Sequence, residues 1–490
     1  MTGLKERRQL ALYVALGLSA GSGLFLDAST AYASDITIAS TDTGYASGIN
    51  GTEATGNKDG NNVTVGETGA AGPTINGDVV GGYAAAGDTS NNTVTIKSIA
   101  LDPTKSVYGG KSDTGAAVNN TVVLEAGIPA NAYGGYSMGA GAVHHNAVRI
   151  AGAAAVHVYG GDTIGTGAAL NNTVSIESGT AANLYGGHTV STGTVRSNIV
   201  RVTGGEVTNV YGGQSTSGST EGNIVTVTGG RVHGKIVAGG SATGTVRNNT
   251  VILGDESHKD LSGAQLSGAN ILGAETAGTA SDNTLEIKAK NITVNSVDQF
   301  DTYHFHLDDT LRGGDTMLQV VNPGAFDTAG SGVSLGKITV TGSINTHGLG
   351  SITLLKGQAD TTDLKFDISV RDLAATFTHE LELRTSNTAT GNKLFLNYNR
   401  FNGSIVTHNG MTVPTSVGTN TELYGGLSRK GNTTTNNELT VTHLAAGLTS
   451  AFGGKNEGTL VSDVTRNRLT VTGTTNPSAI LGTYAIASVY

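Results

Sequence analysis

The chain has 490 residues, with 73 glycines, 6 prolines, no cysteine and a charged fraction of only 14%. A formal net charge of −9 argues against nucleic acid and anionic membrane surfaces as partners, and the low charge density argues against a charge-rich disordered chain. Without cysteine there is no disulfide framework, and so few prolines suit stacked strands that need their N–H donors.

Residues 1–33 read as a secretory signal. Lys5, Arg7 and Arg8 precede an apolar run over 10–26, and Ala31-Tyr32-Ala33 offers a small-residue cleavage site between Ala33 and Ser34. The run contains Gly and Ser, which favours cleavage over retention as an anchor. Three cations against two anions (Glu6, Asp27) leave the mature part at about −10. No other stretch approaches the length of a membrane helix. An exported mature chain that does not span the membrane is therefore expected. Residues 34–60, rich in Ser, Thr and Gly, are assigned to an N-terminal cap or linker that covers the open edge of the repeat array.

Residues 61–290 repeat themselves. Asn172, Val174 and Ile176 return as Asn198, Val200 and Val202, and Leu184-Tyr185-Gly186-Gly187 returns as Val210-Tyr211-Gly212-Gly213, an offset of 26 residues. A period of this size marks units that bury their apolar faces only against one another. In each N-x-V-x-I segment the alternation puts Asn and the apolar residues on one face and polar residues on the other. Inward asparagines Asn92, Asn120, Asn146, Asn172, Asn198, Asn223 and Asn249 are predicted to form a structural ladder, each amide bonding to its copies on the coils either side. A second strand ends in Tyr-Gly-Gly, where glycine permits a corner with positive φ. A small hydroxyl, a Gly-rich link and a lone apolar residue (Val118, Val143, Leu170, Val195, Val246) then lead to the next Asn. The pattern predicts an all-β fold, a parallel β-solenoid (β-helix) of about 26-residue coils with three strands and three corners each. About eight coils between Asn62 and Asn283, stacked at roughly 4.8 Å, would make a rod about 40 Å long.

The period degrades after Leu253 and is lost over 291–420, assigned to a β-rich non-repeat segment bounded by Gly, Asn and Asp. It is either a compact β domain or broader coils with long excursions. Over 421–490 the solenoid repeats resume, with Leu423-Tyr424-Gly425-Gly426 and Asn437-Glu438-Leu439-Thr440-Val441. The chain stops at Tyr490, near where another corner is due, so a truncated array is expected.

A Cys-free, Gly/Asn/Thr-rich array of N-x-V-x-I and YGG units behind a signal resembles the passenger domains of Gram-negative autotransporter adhesins. The resemblance covers the signal, 61–290 and 421–490, and more weakly the segment LRGGDTMLQV. It implies a β-helix at the cell surface or outer membrane, or secreted, that adheres to a host-surface or bacterial-surface protein or glycan. Such proteins usually end in an outer-membrane barrel, and none is visible here.

Chemistry is sparse. A β-helix polysaccharide lyase or hydrolase needs carboxylates clustered on one outer face, whereas Asp162, Glu177, Glu206 and Glu221 do not recur at one coil position. No enzyme activity, cofactor or metal is expected; a purely structural surface stalk is the other alternative. His304 and His306 share a strand face with Asp301 in register, a spacing that could chelate a metal but equally suits a solvated face opposite Tyr303, Phe305 and Leu307. His144 and His145 point to opposite faces if extended. The sharpest ligand-binding candidates are Tyr108, Tyr133, Tyr159, Tyr185 and Tyr211. Alternation puts them outward as an aromatic ladder for sugar faces or another protein; a bend at the corner would instead stack them inside as core.

Overall fold

The computed structural model describes residues 34–39, 48–52, 56, 58–308, 310–311 and 314–322, and beyond these a series of strands between 333 and 471. The predicted signal segment with Ala33, and the predicted last corner near 481–483, lie outside the described residues. The chain forms two compact units. One runs to Ile252 and takes in Gly263–Leu285 and Asp298–Asp301; the other comprises Leu253–Ser262, Glu286–Val297 and the chain from Thr302.

The first unit belongs to an all-β, parallel solenoid of about ten turns. Its first face stacks Asn61–Val65, Thr93–Ile96, Thr121–Leu124, the starts of Ala147–Thr163 and Thr173–Thr189, Ile199–Val202 and Ile224–Val227. Pairing is parallel and in register, so Val94, Val122, Val148, Val174, Val200 and Val225 stand in one buried column. A two-residue period with β-branched residues inward produces this: each side chain meets its own copy one coil away. Ser34–Ile38 pairs in the same way with Asn61–Val65, so the segment assigned to a cap begins as a leading coil strand. That register also corrects the starting residue. Asn61, not Asn62, opposes Asn92 in the buried column, because Asn61, Val63 and Val65 carry the inward phase.

The second face carries the Tyr-Gly-Gly strands, and here the role assigned to glycine needs correction. None of Gly109, Gly110, Gly160, Gly161, Gly186 or Gly187 has a positive φ. They are glycine because the chain runs against the ladder. A Cβ on Gly161 would lie 2.6 Å from the Asn172 amide nitrogen, and one on Gly160 would lie 2.5 Å from the Gly186 carbonyl oxygen. The left-handed corner falls elsewhere, at the residue before each ladder Asn: Asn91, Asn119, His145, Asn171, Ser197 and Asn248 have φ between 53° and 58°. Asn tolerates this region better than most side chains, which accounts for the paired Asn-Asn.

The third face is a ladder of two-residue strands from Thr89–Ser90 to Ala280–Ser281. Its inward column is Ala117, Val143, Ala169 and Val195, so Val118 and Leu170 are not the inward residues at this corner; Ala117 and Ala169 are. Coil length varies around the repeat. Successive ladder asparagines are 25 or 26 residues apart from Asn120 to Asn249, and 34 apart from Asn249 to Asn283, which absorbs the interruption after Leu253 without breaking the column.

In the second unit, Ile292–Val294, Thr316–Val320 and Ser351–Gly357 stack in parallel, as do Thr302–Leu307 and Val333–Val340. Ser351–Gly357 also pairs antiparallel with Gly391–Asn397, which forms a hairpin with Glu382–Thr388. The stretch over 291–420 therefore mixes parallel stacking with an antiparallel hairpin. Parallel pairs return in Ser416–Tyr424 with Ala446–Phe452, and in Glu438–Val441 with Arg468–Val471.

Candidate interaction face

The asparagine column fixes where every outward side chain stands. Asn172 Nδ2 donates to Asn198 Oδ1 at 3.0 Å and to the Val143 carbonyl at 3.0 Å. Its Oδ1 accepts from Asn146 Nδ2 and from the Asn146 backbone N–H, both at 3.0 Å. The same set joins Asn92, Asn120, Asn146, Asn198, Asn223 and Asn249 to their neighbours. Each amide thus bonds along the stack and ties the first face to the third. Asn61 begins this run and Asn283 ends it, its backbone N–H donating to Asp301 Oδ2 at 2.9 Å. Asp301 is therefore engaged at the end of the ladder.

Tyr108, Tyr133, Tyr159, Tyr185 and Tyr211 stand in register. Residues preceding them (Val107, Ala132, Val158, Leu184, Val210) are buried in the core, and Tyr108, Tyr133 and Tyr159 gather in a separate cluster with Val80, Tyr83 and Tyr136. They stack at 4.8–5.0 Å between centroids with planes 5–7° apart. Neither expected arrangement describes them fully: they point outward, yet Tyr108, Tyr133 and Tyr211 are only 9% exposed. The strand bends at Gly-Gly, so the residue three places on folds back over the rings. Tyr136 lies 4.9 Å from Tyr133, and His188 lies 5.4 and 5.2 Å from Tyr159 and Tyr185. The result is a tyrosine stripe flanked in register by the column Ser106, Asn131, His157, Asn183 and Asn209 on one side and by Lys111, Tyr136, Asp162, His188 and Gln214 on the other. Because the rings stack along the column, their faces cover one another and the stripe presents edges and hydroxyls. Sugar-face stacking, which needs an open ring face, is not what this geometry offers.

Burial pushes the hydroxyls of Tyr108 and Tyr185 up to about 12. It raises those of Tyr133 and Tyr159 as well, with the Asp162 carboxylate adding to the effect. Asp162, itself buried, holds His188 Nδ1 at 2.7 Å. His157 meets Asn183 at 2.9 Å, and burial, with His188 second, lowers its pKa.

The scattered acids of the outer surface are paired across coils. Glu177 takes a bidentate pair from Arg149 at 2.7 and 2.5 Å, Glu206 meets His233 at 2.5 Å, and Glu221 meets Arg247 at 3.1 Å. Two shallow concavities, of about 510 and 450 Å³, are lined largely by Gly, Ala, Ser and Thr. Tyr303, Phe305 and Leu307 form the buried side of their strand. On the other side, His306 Nε2 lies 3.7 Å from Glu286, and burial lowers its pKa. Among the described residues no cluster of three or more His, Asp or Glu is arranged to hold a metal. His144 and His145 do not diverge: the left-handed His145 brings the two Nδ1 atoms to 3.0 Å.

One feature of the face was not read from the sequence. Met138, Ile164 and Val190, five places beyond Tyr133, Tyr159 and Tyr185, form an exposed apolar lip on three successive coils. Their recurrence relative to the tyrosines was the available signal. The fold and face together define a parallel β-solenoid with a lateral stripe of stacked tyrosines. No protein family matches the chain, and neither a curated protein nor a solved structure does.

Proposed function

We propose that the chain is an exported, surface-displayed adhesin of the autotransporter-passenger kind, which acts by presenting one rigid lateral face to a surface protein of a host cell or another bacterium. The observation that carries this reading is the tyrosine stripe, which repeats one side chain every 4.8–5.0 Å over five coils. Weak contacts made at that spacing add along the stack. The stacked rings favour a protein partner over a glycan, since their faces are already covered. Beads coated with the full chain should attach to epithelial monolayers or bacterial lawns more than beads coated with the heat-unfolded chain. Equal attachment on every surface tried would overturn the reading. Display is tested separately: protease added to intact producing cells should degrade the chain, whereas survival until the cells are lysed contradicts surface exposure.

A further inference from the structure

We propose that the tyrosine face over residues 131–190 docks an extended peptide segment that carries one cationic side chain between apolar ones. The inference rests on the adhesion reading and names the chemistry of its partner. On these three coils the lip is apolar: Met138, Ile164 and Val190 are 44%, 40% and 47% exposed. They belong to one column, for their backbone N–H groups bond to the preceding coil at Ser112, Ser137 and Thr163. Before and after them that column carries Asp113 and Thr216, so the apolar stretch is confined to the three coils. It spans about 10 Å at the strand spacing, the reach of roughly three extended residues.

Charge selects the occupant. Among the described residues the one carboxylate on this part of the tyrosine face is that of Asp162, in the central coil. Asp162 is 5% exposed. His188 occupies Oδ1, and no other described group hydrogen-bonds to Oδ2. One carboxylate oxygen is thus left to pair with an incoming cation in a setting that water reaches poorly, where a charge-assisted bond is strong. Lys111, two coils before Asp162 and 4.9 Å from the Tyr108 ring centroid, opposes a cation at that end and so fixes the register of the ligand. The hydroxyls of Tyr133, Tyr159 and Tyr185, without hydrogen-bond partners among the described residues, are placed to meet a peptide backbone.

The test uses the full chain and three fluorescein-labelled peptides, Leu-Leu-X-Leu-Leu with X as Arg, Gln or Glu, titrated by anisotropy. The Arg peptide should bind at least about tenfold more tightly than the Gln peptide, with the Glu peptide weakest. Asp162→Asn should abolish that preference and leave the Gln peptide unchanged. Ile164→Ser with Val190→Ser, at exposed positions that do not threaten folding, should weaken both by about tenfold. Equal affinity for Arg and Gln, a preference that survives Asp162→Asn, or indifference to the lip variant overturns the proposal. A chain that prefers the Arg peptide but does not attach to cells sinks the adhesion reading and keeps the docking site. Attachment without peptide preference does the reverse.

Discussion

Replacing Asn172 by Leu removes one rung of the ladder and leaves its neighbours intact. Four hydrogen bonds disappear, two donated by Nδ2 and two accepted by Oδ1. The damage is uneven. Asn146 Nδ2 keeps its bond to the Ala117 carbonyl, but its other proton and the Asn146 backbone N–H lose their acceptor inside the solenoid, where Asn146 and Asn172 are at most 1% exposed. Two orphaned donors at about 1–3 kcal/mol each give a loss of about 2–6 kcal/mol. A branched side chain facing the Gly161 backbone adds strain. Thr173→Leu alters an outward, half-buried position of the same strand and should stay within about 0.5 kcal/mol. Urea unfolding followed by circular dichroism reads the difference as a shift in midpoint. Equal midpoints for the two variants would refute the assigned register.

Gly161→Ala should destabilise strongly because its Cβ would meet Asn172, whereas Gly240→Ala, whose Cβ finds its nearest neighbour at 3.6 Å and whose φ is not positive, should be tolerated; thermal melts separate the two. Asp301→Ala deprives the Asn283 N–H of its acceptor and should cost about 1–3 kcal/mol; unchanged hydrogen exchange at Asn283 would count against the capping role. The raised tyrosine pKa values mean that the folded chain binds these protons more tightly than the unfolded one, so their stabilisation is complete below pH 10 and is lost as the pH rises through about 12. Tyrosinate absorbance should then rise together with unfolding, and early titration of the column in a folded chain would contradict its burial. Replacing Tyr159, Tyr185 and Tyr211 together by Ser removes three stacked rings, so the melting temperature should fall; an unchanged melt would mean the stack contributes nothing to stability.

The solenoid was legible because its cause is local and recurrent. Val94, Val122, Val148 and their copies obey one alternation, and an Asn heading each strand admits few inward roles. The left-handed corner was also written in the chain, as the first residue of Asn91-Asn92, Asn119-Asn120 and Asn171-Asn172, but glycine is the more familiar sign of positive φ and drew the assignment to Gly-Gly. Those glycines answer to the Asn ladder across the coil, a steric demand that emerges only when two faces are packed together. Alternation placed the tyrosines on the outer side, yet could not show that the bend at Gly-Gly brings the residue three places on over them. Cross-coil charge pairs were hidden for a related reason. Arg149 and Glu177 are 28 residues apart, two more than the repeat, because long side chains reach diagonally across the stack.

Every column, asparagine ladder and tyrosine stack alike, depends on residues one coil apart standing side by side. The chain has no cysteine of its own, so paired cysteines can measure this directly. Ser175 opposes Arg201 on adjacent coils, while Arg149 and Arg201 are separated by two steps of the stack. At the strand spacing of about 4.8 Å the first pair lies within disulfide range and the second, at about 9.6 Å, does not. Under mild oxidation the Ser175→Cys/Arg201→Cys chain should form an intramolecular disulfide at high yield, and the Arg149→Cys/Arg201→Cys chain should not. Equal yields from the two, or none from the first, would contradict the in-register solenoid.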